Sequence, residues 1–158
     1  MTKEDLPAFQ YAAAARHHAQ AAARHIEASR HYQVGKDYAH AAHQAMAARG
    51  HGLWAQNHAD NADRTHTPHG LVGAPAGYAT VPIATAADHH LEAALHHKQA
   101  ARHHVAASKH AEDGDPHLAA EQSQAARVHA RRSALHSDAA AQLHIELTGS
   151  AAPGREIA

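Results

Sequence analysis

The sequence contains no cysteine, few aromatic residues and no long apolar run, and each absence narrows what the chain can be. Without cysteine the chain can form no disulfide, no thiolate metal site and no thiol nucleophile. No run approaches the ~20 apolar residues that a membrane span needs. The polar start of the chain predicts no signal peptide. We therefore expect a cytoplasmic protein that does not interact with membranes.

The chain has almost no net charge at neutral pH, with 14 basic and 15 acidic residues, but it carries 21 histidines. Because histidine titrates near pH ~6.5, the molecule becomes strongly cationic in acid. At neutral pH no basic surface for nucleic acid is expected. The sequence has no glycine-rich phosphate loop and no nucleophile beside a base, so we do not expect an enzyme.

Alanine dominates the 44% of residues that are hydrophobic. Alanine favours helix but buries little apolar area, so the sequence predicts an all-α protein with a thin core. A core of this kind is marginally stable. We expect bound metal ions or homo-oligomer contacts to contribute to its stability.

The two halves of the chain carry the same pattern. Residues 14–35 and 93–114 are identical at twelve of twenty-two positions, at a constant offset of 79 residues, and after the glycine of each segment the offset becomes 78. This duplication predicts two tandem antiparallel helical hairpins, over residues 1–65 and 86–147. A linker rich in proline and glycine, residues 66–85, joins them.

Each half is predicted to form helix, turn and helix, with the two halves sharing one bundle. The predicted helices span about 7–33, 37–64, 85–112 and 116–147. Residues 148–158 are expected to form a flexible tail. Four helices joined by two tight turns and one long crossover are typical of a four-helix bundle.

Histidines repeat every seven residues on the alanine-rich face of each predicted helix. If the hairpins face each other in register, one layer of the bundle receives one imidazole from each helix. That layer is His18, His51, His97 and His129. The layers on either side are expected to contain His25, His58, His90, His104 and His136, together with glutamine and tyrosine. In these outer layers Tyr11 is paired with His58, His25 with Gln44, His104 with Gln122, and His90 with His136.

A second set of histidines lies about 100° or more away around the helices, and we expect it at exposed or boundary positions. Its members are His17, His31, His89, His96, His103 and His110. The carboxylates, among them Asp60 and Asp63, are predicted on the polar faces.

Four imidazoles in one layer would form a set of nitrogen ligands suited to Zn, Cu(II), Ni or Co. Because the core histidines repeat at i+7, about 10 Å apart along the helix axis, two from one helix cannot share an ion. Each helix must therefore supply one ligand. The clean i+3 histidine pair within one helix is His40 with His43. The sequence thus predicts a protein that binds divalent transition-metal ions for storage, buffering or delivery.

Two other functions fit the same pattern. Buried histidines that bond one another would make a non-catalytic structural or oligomeric helical module, with histidines that sense or buffer pH. Haem held by two histidines is a minor alternative, although the chain has no Cys-x-x-Cys-His motif and few large apolar side chains. A di-iron carboxylate centre is not expected, since no Glu-x-x-His motif occurs.

The run from Ala14 to His25, followed by a glycine turn and the run from Ala39 to His43, resembles short uncharacterised Ala/His-rich helical-hairpin proteins of bacteria. The resemblance covers both halves of the chain and excludes the linker and the tail. It implies a cytosolic helical fold and no catalytic residues. This chain departs from a perfect duplication, because the last helix of its second half carries fewer histidines.

Overall fold

The computed structural model describes residues 6–66 and 85–149. In these ranges the chain forms four helices, which are α1 (Leu6–Val34), α2 (Tyr38–His66), α3 (Ala86–Glu112) and α4 (Pro116–Gly149). The all-α four-helix bundle is confirmed, and every helix end lies within two residues of its predicted position. Most of the predicted linker and most of the predicted tail lie outside the described residues. The division into tandem hairpins with a linker stays a prediction.

The turns and caps follow from a few local residues. The α1–α2 turn uses Gly35 at φ 66° and Asp37 at φ 58°, and the Asp37 carboxylate accepts the backbone N–H of His40 at 3.0 Å. Thr85 caps α3 by accepting the backbone N–H of Asp88 at 3.1 Å. These side chains satisfy N–H groups that have no partner within the helix, so each helix start is fixed by the sequence next to it.

The helices pack in the lateral order α2, α1, α3, α4. Helix α1 contacts α2 and α3 to a similar extent, α3 contacts α4 as closely, and α2 meets α4 much less. The pairs His18–His97 and His25–His90 show that α1 and α3 run antiparallel. The α1–α3 interface is therefore the centre of the bundle, and the α2–α4 interface is its most open side.

Alanine at intervals of seven residues lets the central helices approach closely. In α1 these positions are Ala14, Ala21 and Ala28, and in α3 they are Ala93, Ala100 and Ala107, all fully buried. The larger apolar side chains lie mostly outside, as Met46, Leu53 and Trp54 do. The core is therefore thin, as expected, and ring side chains fill the space that alanine leaves. Among the described residues, no helix has the length and apolarity to cross a membrane.

A buried ionic cluster joins three helices at one end of the bundle. Asp63 of α2, only 6% exposed, accepts hydrogen bonds from Tyr11 at 2.7 Å, from Ser123 at 3.1 Å and from the guanidinium of Arg127. A second arm of Arg127 contacts Asp60 at 2.6 Å. Placing Asp63 on a polar face was wrong: its carboxylate is withdrawn from water because a cation and two hydroxyls surround it.

Candidate metal centre

Rings from α1 and α3 form one continuous stack along the centre of the bundle. Neighbouring ring centroids are 5.2–6.1 Å apart. In order, the rings are Tyr11, His104, His18, His97, His25, His90 and Tyr32. They alternate between the two helices because each helix presents one ring every two turns. We call this set the central stack.

Two imidazole pairs in the central stack bond through their Nδ1 atoms. The Nδ1 atoms of His18 and His97 are 3.0 Å apart, and those of His25 and His90 are 3.1 Å apart. At these distances one nitrogen of each pair must carry a hydrogen and the other must accept it. Each pair is therefore made of two neutral rings in different tautomers.

The neighbouring hydroxyl of Ser137 fixes the tautomers of one pair. Ser137 donates its hydrogen to the carbonyl of Ser133 at 2.8 Å, so its oxygen accepts from His25 Nε2 at 3.1 Å. Because His25 carries its hydrogen on Nε2, its Nδ1 is the acceptor for His90. In the other pair, His18 Nε2 is buried without a hydrogen-bond partner. A bare lone pair there costs less than a buried N–H, so we assign His18 as the Nδ1–H donor to His97.

Burial keeps the central histidines neutral. Loss of hydration, with a smaller contribution from like charge on neighbouring rings or on Arg127, lowers the pKa of His18, His97 and His104 to about 3. The pKa of His90 falls to about 4 for the same first reason. A second proton on His18 would lie on Nε2, where it has no acceptor, and this is consistent with the lowered pKa of that ring.

A second stack lies between α3 and α4, and we call it the α3–α4 stack. Its ring centroids are 5.3–5.7 Å apart. In order, its members are His103, His129, His96, His136 and His89. The Nδ1 atoms of His96 and His129 are 3.2 Å apart, and those of His89 and His136 are 3.1 Å apart. Four of these rings are half-buried, because α4 lies at the side of the bundle, whereas His89 is buried, so its predicted exposed or boundary position was wrong.

Two rings of the α3–α4 stack belong, together with a neighbouring glutamate, to the one group of three potential metal ligands among the described residues. One ligand atom each from Glu92, His96 and His136 lies within 4.8 Å of the other two, and all three residues are half-buried. Glu92 and His96 are at i and i+4 and share a face of α3, while His136 reaches them from α4. Burial and the nearby His129 lower the pKa of His96 to about 4. Burial also lowers the pKa of His136, so both imidazoles are neutral at pH 7, as metal ligation requires.

A shorter stack lies between α1 and α2. His17 lies 5.6 Å from His51 and 5.4 Å from His58 between ring centroids, and Trp54 stacks on it at 6.2 Å. His58 donates Nδ1–H to the Gln10 side-chain oxygen at 2.6 Å. We call this set the α1–α2 stack, and it occupies the position in the first half that the α3–α4 stack occupies in the second.

The predicted four-histidine layer is not one site. Instead, His18 pairs with His97 in the centre, His51 pairs with His17, and His129 pairs with His96. The prediction that four imidazoles meet was wrong, because three separate interfaces divide them.

The physical reason is a register difference of one residue. Consecutive residues on a helix project about 100° apart, so a His-His doublet serves two interfaces. In the doublet His17–His18, the first ring faces α2 and the second faces α3. The doublets 89–90, 96–97 and 103–104 behave in the same way.

The same shift corrects the other predicted contacts within the hairpins. The bonds observed are Gln10–His58, Arg24–Gln44, His103–Gln122 and His89–His136. Each replaces the pairing predicted for the next residue along the chain. His25, His90 and His104 belong instead to the central stack.

The i+3 pair His40 and His43 does not join a group of three ligands. Their ring centroids are 6.4 Å apart, and His43 is exposed. His40 Nε2 accepts from the Gln44 amide at 3.0 Å, and its ring packs 4.4 Å from that of His31. Spacing alone brought these two histidines to the same face but not into a common site.

Two of the three potential ligands were missed by reasoning from the sequence. His96 was assigned to the exposed or boundary set, and Glu92 was assigned to no site. Only histidine pairs were considered at helical ligand spacing, whereas the useful pair mixes a carboxylate with an imidazole at i and i+4. A search for Glu or Asp four residues from histidine would have found Glu92 and His96.

A cleft of about 130 Å³ opens between α2 and α4 and reaches the central stack. His97 forms part of its wall, and a Cβ atom built on Gly52 would lie 3.3 Å from His97 Cε1. The exposed ion pair Arg49–Asp138, at 3.0 Å, crosses the same opening. Glycine at position 52 of α2 therefore leaves room for the imidazole of His97.

Comparison with known proteins adds no assignment to this geometry. No protein-family model, curated protein or solved structure matches the chain. A function must therefore be inferred from the side chains that the fold brings together.

Proposed function

We propose that this protein binds divalent transition-metal ions at a centre formed by Glu92, His96 and His136. The observation that carries the proposal is the convergence of three ligand atoms, from two helices, within 4.8 Å of one another. Nitrogen and oxygen ligands bind zinc at about 2.0–2.2 Å, so modest side-chain rotations would place one ion among all three. Two imidazoles with one carboxylate are an established ligand set for such ions.

Charge favours this centre over the central stack. An ion bound between His18 and His97 would be buried between neutral rings, and an uncompensated buried charge is strongly unfavourable. Glu92 supplies a negative charge, and its half-buried position leaves a path for hydrated ions. We therefore assign metal binding to the residues at the side of the bundle, and we assign a structural role to the central stack.

The ligand set suits Zn, Co, Ni and Cu(II), with affinity rising along the usual divalent series to copper. Three protein ligands leave at least one position for water or for a ligand from another molecule. An ion held in this way can exchange, which fits buffering or delivery better than permanent structural binding.

Thermal unfolding of metal-free protein during titration with Zn²⁺, Co²⁺, Ni²⁺ or Cu²⁺ tests the proposal. An ion that binds only the folded chain stabilises it by about 2.7 kcal/mol at 100 times its Kd, which raises the midpoint. Co²⁺ adds a second readout, because its visible absorption changes with coordination. The protein is purified without a histidine tag.

Matched variants separate this centre from background binding by other histidines. Glu92→Gln and His136→Gln should each weaken Zn²⁺ binding by at least ~10–100-fold, the range typical even for residues one step removed from a metal. Glu121→Gln and His117→Gln are the controls, since both side chains are well exposed on α4. Equal affinity in the site variants and the controls would contradict the proposed centre.

A structural module with pH-sensitive histidines is the second candidate, and a specific observation favours it. In the pairs His18–His97 and His25–His90 the Nδ1 atoms bond each other without any ion. Such a module would show no change of melting midpoint with any divalent ion, but it would lose helicity in acid. Haem binding is less favoured, because rings whose nitrogens are 3.0 Å apart leave no space for a porphyrin between them.

A further inference from the structure

The α1–α2 stack has the arrangement of the proposed metal centre without its carboxylate. His17 and His58 correspond to His96 and His136 in the duplicated half. Their ring centroids are 5.4 Å apart with planes at 13°, against 5.7 Å and 22° in the other half. The position that corresponds to Glu92 is Ala13, a buried residue that cannot bind metal.

The ring nitrogens of this pair are already oriented. His58 gives its Nδ1 hydrogen to Gln10 at 2.6 Å, so its Nε2 carries the free lone pair. A hydrogen bond of this kind, to the ring nitrogen that does not bind metal, is the usual way in which proteins orient a ligand histidine. His17 Nδ1 lies 3.3 Å from His51 Nδ1, which puts a third imidazole beside the pair. All three rings are half-buried and open to ions from solution.

We propose that His17 and His58, with His51 beside them, form a second metal site that selects Cu²⁺. The site offers imidazoles and no carboxylate, so it lacks the charge that Glu92 gives the first centre. Among first-row divalent ions Cu²⁺ binds nitrogen ligands most strongly, so a site made of imidazoles alone favours Cu²⁺ over Zn²⁺, Ni²⁺ and Co²⁺. The inference rests on the proposed function in assuming that this fold binds metal, but it concerns different residues.

Trp54 makes the site observable by itself. It is the only tryptophan in the chain, and its ring centroid lies 6.2 Å from that of His17 and 6.4 Å from that of His58. Bound Cu²⁺ quenches indole fluorescence at such short range, while Zn²⁺ does not. The probe is Cu²⁺ alone, titrated into the metal-free full-length protein in a buffer that does not bind copper, with Zn²⁺ as the parallel titration.

We expect saturable loss of most of the Trp54 emission with Cu²⁺. His58→Gln and His17→Gln should each raise the Cu²⁺ concentration needed for half-maximal quenching at least ~10-fold, and His117→Gln should leave this concentration unchanged. Far-UV circular dichroism of each variant establishes that the bundle is intact, and having two site variants keeps the test valid if one fails to fold. Quenching that is as strong in both folded variants as in the parent would overturn the second site.

The two proposals fail separately. If Cu²⁺ raises the melting midpoint through Glu92 and His136 but leaves Trp54 emission unchanged, the second site is wrong and the first centre stands. If Glu92→Gln changes no metal affinity while His58→Gln abolishes the quenching, the first centre is wrong and the second site stands. If equimolar Zn²⁺ displaces Cu²⁺ from this site, so that Trp54 emission recovers, the proposed copper selectivity is wrong.

Discussion

Acidification should unfold this protein near pH 5, before most of its carboxylates titrate. Five histidines of the central stack are almost completely buried, and burial lowers the pKa of His18, His97 and His104 to about 3. In the unfolded chain each titrates near ~6.5. Between these two values the unfolded state binds more protons than the folded state. Stability is therefore fully present above pH ~6.5 and is lost as pH falls below it.

The size of the effect follows from the same numbers. A histidine that stays neutral in the fold and titrates freely when unfolded loses roughly 2 kcal/mol of stability on going from neutral pH to pH 5. Five independent rings would lose roughly 10 kcal/mol in total. Domains of this size are stable by only about 5–15 kcal/mol, so the midpoint should fall near pH 5.

Far-UV circular dichroism against pH, at constant ionic strength, measures the midpoint, and a pH-stat measures the protons taken up on unfolding. Replacing both His18 and His97 by Leu removes two titrating rings without leaving an unpaired partner, so it should move the midpoint to lower pH. His117→Gln is the control, since that side chain is 85% exposed. Helicity that persists unchanged to pH 4, or an uptake below one proton, would refute the assignment of neutral buried rings.

Two further predictions concern residues outside the stacks. Gly50→Ala should stabilise α2 by about 0.5–1 kcal/mol, because nothing lies within 4 Å of the new Cβ. Gly52→Ala should stabilise the protein less or destabilise it, because the new Cβ would lie 3.3 Å from His97 Cε1. Equal gains in urea unfolding would contradict the contact with His97. Asp63→Asn should cost about 3–5 kcal/mol, since it removes the buried negative charge that Arg127, Tyr11 and Ser123 share, while Asp138→Asn at an exposed ion pair should cost less than ~1 kcal/mol. Similar losses would show that Asp63 is not the buried anchor.

The fold could be predicted from the sequence because its signals are local. Glycine at 35 and 114 adopts positive φ at the two turns, and Pro116 begins α4. Alanine and histidine at seven-residue spacing indicate which face of each helix is buried. These features act within one or two helical turns, and they placed every helix end within two residues.

The site could not be predicted as well because it depends on rotation about the helix axes. The predicted layer placed His18 in contact with both neighbouring helices. A small rotation of α1 about its axis instead turns His17 toward α2 and His18 toward α3. Nothing local in a doublet such as 17–18 indicates which ring meets which helix. Asp63 illustrates the same limit, because its partners Ser123 and Arg127 come from the far end of the chain.

The duplication gives a physical account of why both a structural and a metal-binding role can exist in one bundle. In each doublet the inner ring is buried among neutral rings, where an ion would lack a counter-charge. The outer ring lies beside a peripheral helix and is half-buried in the doublets 17–18, 96–97 and 103–104, where water and carboxylates can reach it. His96 differs from His17 chiefly in having Glu92 four residues before it, and this carboxylate adds a negative charge and an oxygen ligand that the imidazoles of the first half lack. Replacing Glu92 should therefore make the second half resemble the first in its preference for Cu²⁺, with the helical bundle unchanged.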